Sequence, residues 1–146
     1  MDQRIKIEEI ESGAYRGMII LENYLKTSTL TDIQKHLIKI RASQINGCAY
    51  CLNMHTKDAL QLGETQQRIF VLSAWRETHL FTEEEQILLE MTEEITLISK
   101  QGLTEATYQK AKKAFDDNTI AQIIMSIVAI NGWNRIAVST HKELDS

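Results

Sequence analysis

The chain has two cysteines, Cys48 and Cys51, set as Cys-Ala-Tyr-Cys, and a histidine, His55, follows four residues later. Residues three and four apart share a face of a helix, so two sulfurs and an imidazole would form one stripe. A thiol becomes a strong nucleophile only as its thiolate. The Asn46-Gly47 break puts Cys48 at a helix start, where free N–H groups and the helix dipole favour negative charge. Proximity to the helix end nominates Cys48 as the reactive sulfur, whereas reach of the His55 base nominates Cys51. These residues alone leave the choice open. Lys35, Lys39, Arg41 and Lys57 lie nearby in sequence and would add positive potential.

Plainer readings compete with this one. Free cysteines are often buried as small apolar groups. Zinc could recruit Cys48, Cys51, His55 and His36, although three ligands along one helix converge poorly on a tetrahedral ion. His55 by itself would pass for an ordinary core or surface histidine, and only its spacing from Cys51 singles it out. His79 and His141 have no partner in the local sequence. Arg76, Glu77, Trp133 and Arg135 fit packing and ion pairing between helices, with Trp75 and Trp133 suited to the core or to a subunit seam.

The elements that must position the stripe read as helices. The chain has no proline, and its glycines fall mostly at breaks. Met18, Ile19, Leu21 and Leu25 place a first helix between Ser12 and Lys26. Thr31 and Gln34 make a capping box, opening a helix with Ile33, Leu37 and Ile40 on one stripe. The next helix runs from about Cys48 to Gly63, and a short one from Glu64 to Trp75. A second capping box at Thr82 and Glu85 opens a helix bearing Ile87, Met91, Ile95 and Ile98, which ends at Gly102. Thr104 to Phe115 is shorter. The last helix, about Thr119 to Val138, contains IAQIIMSIVAI, apolar almost all round and suited to a bundle centre or a subunit interface. Period-two alternation is missing, so the expectation is an all-α chain forming a single domain over residues 1–146.

The length of 146 residues supports a core without disulfide staples. A net charge of −4, with basic residues scattered among acids, argues against nucleic acid as a partner. No apolar run reaches the roughly 18–20 residues of a membrane span, and the N-terminus is charged where a signal peptide would be apolar. A cytoplasmic location is expected. Cysteines this close in a reducing compartment suggest redox chemistry or metal binding rather than a structural bridge.

RASQINGCAYCLNMHTKDALQLGETQQR, followed by AWRET and later by AINGWNRIAV, strongly resembles the carboxymuconolactone decarboxylase / alkylhydroperoxidase D-like (AhpD-like) family. More narrowly, it looks like the family's small single-domain members with CxxC-x3-H. The match is dense from Leu37 to Thr78 and returns between Ala129 and Val138.

The resemblance implies an AhpD-like helical bundle assembled as a homo-oligomer, a trimer or hexamer. It implies a thiol-dependent peroxidase or disulfide reductase acting on a peroxide or disulfide substrate, re-reduced by a thiol donor. No cofactor and no metal are required. By the same resemblance Cys51 attacks the peroxide and becomes a sulfenic acid, and Cys48 condenses with it. His55 belongs to a proton relay whose glutamate, twelve residues before the first cysteine, is here His36. The relay histidine between the cysteines is here Tyr50. His36 carries no fixed negative charge and Tyr50 is a poor base near neutrality, so weakened or altered peroxidase activity is expected. The family's decarboxylase branch does not rely on a CxxC pair. A lactone-directed lyase and a non-enzymatic zinc module remain the rival expectations.

Overall fold

The computed structural model describes residues 2–145. Among them are eight α-helices and one 3-10 helix, with no strand. They are α1 (Ile7–Ile10), α2 (Ser12–Leu25), α3 (Asp32–Asn46), α4 (Ala49–Gln61), α5 (Gln66–Val71), the 3-10 turn Leu72–Glu77, α6 (Glu83–Thr96), α7 (Glu105–Ala114) and α8 (Asp117–Thr140).

Both expected capping boxes form. Thr31 accepts from the Gln34 amide while the Gln34 side chain accepts from the Thr31 amide, and Thr82 and Glu85 do the same. Each such cap contributes about 0.5–2 kcal/mol to its helix. The helix they launch as α3 packs against α4, α6 and α8, and its Leu37, Ile38 and Ile40 are fully buried. Facing them are Leu88, Leu89 and Met91 of α6 and Ile123, Ile127 and Ile130 of α8. Met125 and Val128 of α8 remain exposed, so the apolar run of that helix is not covered all round within one chain.

Three boundaries differ from expectation. The helix opened at Thr82 stops at Thr96, not at Gly102, because the backbone turns out of the helix at Leu97. Ile98 is consequently exposed and does not extend the buried stripe. The Glu93 carboxylate just before this stop accepts from Arg41 Nε, Trp75 Nε1 and Arg76 Nη1, while Glu94 accepts from the Thr104 amide and hydroxyl. The segment from Glu64 to Trp75 is not one helix. α5 gives way to the 3-10 turn, whose Ala74 is non-helical, and the turn seats Trp75 in the core with its indole N–H on Glu93. Finally, α8 starts earlier than expected, at Asp117, because Asp116 caps it by accepting from the Thr119 amide.

Two glycines have positional work. Gly47 closes α3 at φ 64°, a left-handed conformation that favours glycine. A Cβ on Gly132 would meet Met18 Cε at 2.8 Å, so its absence lets α2 lie close against α8. That approach brings α2 to the wall of a cavity it shares with the cysteine helix.

Candidate active site

The cysteine helix starts where three hydrogen bonds place it. Asn46 Nδ2 donates to Asn131 Oδ1 at 3.0 Å and Asn134 Oδ1 at 2.9 Å, and the buried Asn134 donates to Ser43 Oγ at 3.0 Å. These bonds pin the end of α3 to α8. The chain then turns at Gly47, and Cys48 becomes the N-cap of α4, its Sγ accepting from the Cys51 amide at 3.3 Å. Cys48 is therefore the cap rather than the first turn, and Cys51 is the third helical residue. Their sulfurs are joined as a disulfide with Cα atoms 5.3 Å apart.

Both cysteines are almost fully buried, at 1% and 2% exposed, against Ala137 of α8 and the Tyr50 ring. Each lies on the wall of a different cavity. Cys51 borders one of about 300 Å³ between α2, α4 and α8, together with His55, Glu22, Trp133, Tyr15 and Tyr50. Cys48 borders a second, of about 580 Å³, whose outer wall is the C-terminal stretch from His141 to Leu144. Tyr50 lies between the two. Burial holds its phenol above the usual range, and Lys142 Nζ stands 4.8 Å from the centre of its ring.

His55 is 6% exposed, and its Nδ1 is buried without a hydrogen-bond partner. Burial pushes its pKa down to about 3, helped by Lys39 and His36 and opposed by Glu22. The spacing suggested a group titrating near neutrality. Beside the oxidised cysteines the imidazole is instead neutral, because burial disfavours the cation more than the Glu22 carboxylate favours it.

His36 does reach the site. Its Nδ1 lies 2.8 Å from the Asp32 carbonyl. A carbonyl can only accept, so Nδ1 is the donor, and in the neutral ring the lone pair is on Nε2. The rings of His36 and His55 stand edge to face, with centroids 6.1 Å apart. Of the other histidines, His79 is exposed, and His141 caps α8 in the left-handed region at φ 52° on the Cys48 side of the site.

Glu22 is the site residue that sequence reasoning missed. From α2 it accepts from Lys39 Nζ at 2.7 Å and from Trp133 Nε1 at 3.2 Å, and these donors hold its carboxyl below the usual range against the opposing effect of burial. It supplies negative charge to a site whose His36 cannot. The available signal was a lone acid inside the apolar stripe of the first helix, between Ile19 and Leu25. Trp133, expected as packing, also holds this carboxylate, and Tyr15 packs edge-on to it at 5.3 Å.

With their sulfurs bonded to each other, the cysteines have no thiolate to offer a metal. The donor atoms that do come together are those of His36, His55 and Asp58, within 4.8 Å of one another.

An all-helical chain with a paired CxxC beside a buried histidine is the class of protein that fold and site define. The model of the carboxymuconolactone decarboxylase family matches residues 13–94, and the chain belongs to that family. It is 40% identical to the protein YdfG of Bacillus subtilis (strain 168) over 139 residues, 95% of each chain. Its structure is similar to ATU0492 of Agrobacterium tumefaciens, a protein of unknown function placed with the antioxidant defence protein AhpD. That similarity has a TM-score of 0.95 and 37% identity, covering 99% of both chains. The AhpD-core protein of Ralstonia eutropha JMP134 shares the fold alone, with a TM-score of 0.83, 15% identity, and coverage of 95% of this chain and 74% of the other. The expected AhpD-like helical bundle is thus the fold observed. No helix among the described residues is long and apolar enough to cross a membrane.

Proposed function

We propose that the chain is a thiol-dependent peroxidase or disulfide reductase in which Cys51 is the attacking sulfur and Cys48 the resolving one. The observation that carries this reading is the shared wall of one cavity. Cys51, His55 and Glu22 face the same space, while the Cys48 sulfur is already within bonding distance of Cys51. A hydroperoxide entering that cavity meets one sulfur and one base together.

The chemistry balances with the residues present and an external dithiol. The Cys51 thiolate attacks the distal peroxide oxygen, the O–O bond breaks, and the alkoxide leaves with a proton returned by His55. Cys51 is now a sulfenic acid. The Cys48 thiolate attacks it, an S–S bond forms, and hydroxide leaves as water. A dithiol donor then opens the disulfide by exchange and departs as its own disulfide. His55 accepts the Cys51 proton at the start of the cycle. The thiolate so formed adds a negative charge that the oxidised site does not have, and Glu22 also favours the imidazolium. His36 presents its Nε2 lone pair as the next station for the proton. Tyr50 screens one sulfur's cavity from the other's.

Assembly as a trimer or hexamer belongs to the same reading. Exposed Ile20 and Tyr24 on α2, and Met125 and Val128 on α8, supply apolar surface for it.

Steady-state peroxide consumption with a dithiol donor tests the assignment. Cys51→Ser should abolish turnover, and Cys48→Ser should stop it after one equivalent. Normal turnover by both variants would overturn the mechanism.

A further inference from the structure

His36, His55 and Asp58 form a cluster that the thiol chemistry does not fully use. Each offers a donor atom, and the three atoms lie within 4.8 Å of one another across the α3–α4 seam. The His36 ring is already oriented as a ligand. Its Nδ1–H donates to the Asp32 carbonyl at 2.8 Å, which makes Nε2 the nitrogen open to a metal. A metal-binding imidazole is commonly held this way, with its other nitrogen bonded to a backbone carbonyl. His55 supplies the second, independent observation: it is 6% exposed and its buried Nδ1 has no partner. Asp58, one turn beyond His55 and nearer solvent, brings the negative charge that two neutral imidazoles lack.

From this we infer a binding site for a divalent transition-metal ion, zinc being the best fit. Two imidazole nitrogens and one carboxylate oxygen suit zinc and its neighbours rather than magnesium or calcium, which prefer all-oxygen shells. Bonds of about 2.0–2.2 Å to a tetrahedral zinc place its donors roughly 3.3–3.6 Å apart. The three donors, within 4.8 Å of one another, would have to draw in to that spacing as the ion binds. Three protein donors leave the fourth position to water. The cysteines take no part, which distinguishes this site from one built on the CxxC pair. The ion would occupy the His55 lone pair that Cys51 needs, so metal binding and thiol activation compete; that consequence rests on the relay role proposed above.

Binding, not turnover, is therefore the readout. Zinc chloride is titrated into the full chain in its disulfide form, against a chromophoric chelator, for wild type, His36→Ala, Asp58→Asn and the Cys48→Ser/Cys51→Ser double variant. The expected result is one zinc per chain in the wild type and the double variant, with affinity about tenfold or more weaker in the other two. Cobalt(II) in the same site should show visible absorption without a sulfur charge-transfer band. Absence of binding to the oxidised chain, equal affinity in Asp58→Asn, or loss of binding in the double cysteine variant would overturn the inference. None of these outcomes depends on peroxidase activity.

Discussion

His36 and His55 face each other edge to face across the α3–α4 seam, their ring centroids 6.1 Å apart. Two cationic rings cannot coexist cheaply at that separation, and His36 is one of the groups that hold His55 in its neutral form. The position that the family resemblance assigns to a carboxylate thus carries a group of opposite tendency.

Replacing His36 with glutamate should reverse that tendency. A carboxylate facing the imidazole favours the imidazolium by about one pKa unit or more, and one unit is a factor of ten in the population of the thiolate–imidazolium pair. The rate of Cys51 alkylation by iodoacetamide in the reduced chain should rise about tenfold. An unchanged rate would remove His36 from the relay.

The His55 imidazole should also make stability depend on pH in a definite direction. Its folded pKa, near 3, lies below an unfolded value of about 6.5, so the unfolded chain binds the extra proton. Stability from this group is complete above the unfolded pKa and falls as the pH drops from about 6.5 towards 3, by about 1.4 kcal/mol per pH unit. Urea unfolding of the oxidised chain between pH 7 and 5 should show this slope, and His55→Gln should flatten it. Glu22 and Glu93, whose carboxyls are held low, lose their contributions only at more acidic pH, below the ordinary carboxylate range.

Glu22 connects α2 to the site through Lys39 and Trp133. Glu22→Gln keeps the shape but removes the charge that opposes the downward shift of His55. Thiol reactivity should fall several-fold and its pH profile should move to higher pH, whereas a merely structural residue would leave the profile in place. The half-buried Lys39 also loses its partner, at a cost of about 1–2 kcal/mol in unfolding free energy.

Glu93 supplies the contrast. It receives Arg41, Trp75 and Arg76 and lines neither cavity that the sulfurs border, so Glu93→Gln should lower stability by about 1–3 kcal/mol. The rate constant per folded molecule should be untouched. Thermal unfolding followed beside iodoacetamide kinetics separates the two effects.

Local patterns made much of this legible. The capping boxes at Thr31 and Thr82 depend on residues three apart, and the burial of Ile123, Ile127 and Ile130 follows from helical spacing. The Cys48, Cys51 and His55 grouping was likewise readable, as was His36 once the family resemblance was admitted. Glu22 was not, because its place beside His55 depends on α2 lying against α8 at Gly132 and Met18, a contact between residues more than a hundred apart in sequence. Ile98 misled for the opposite reason. It continues the apolar rhythm of α6, but the helix ends before it and its side chain turns to solvent. The neutrality of His55 was hidden too, since spacing from Cys51 says nothing about how deeply the ring is enclosed.

The assignment of Cys51 as the sulfur that meets the peroxide is tested most directly by intact-mass and peptide mapping of reduced Cys48→Ser after one equivalent of an alkyl hydroperoxide, with a sulfenic-acid-specific reagent present. The account predicts a single labelled oxygen adduct on Cys51, and no adduct on Cys48 in the matching Cys51→Ser chain. A labelled Cys48 in that second variant, with Cys51 unmodified in the first, would contradict it.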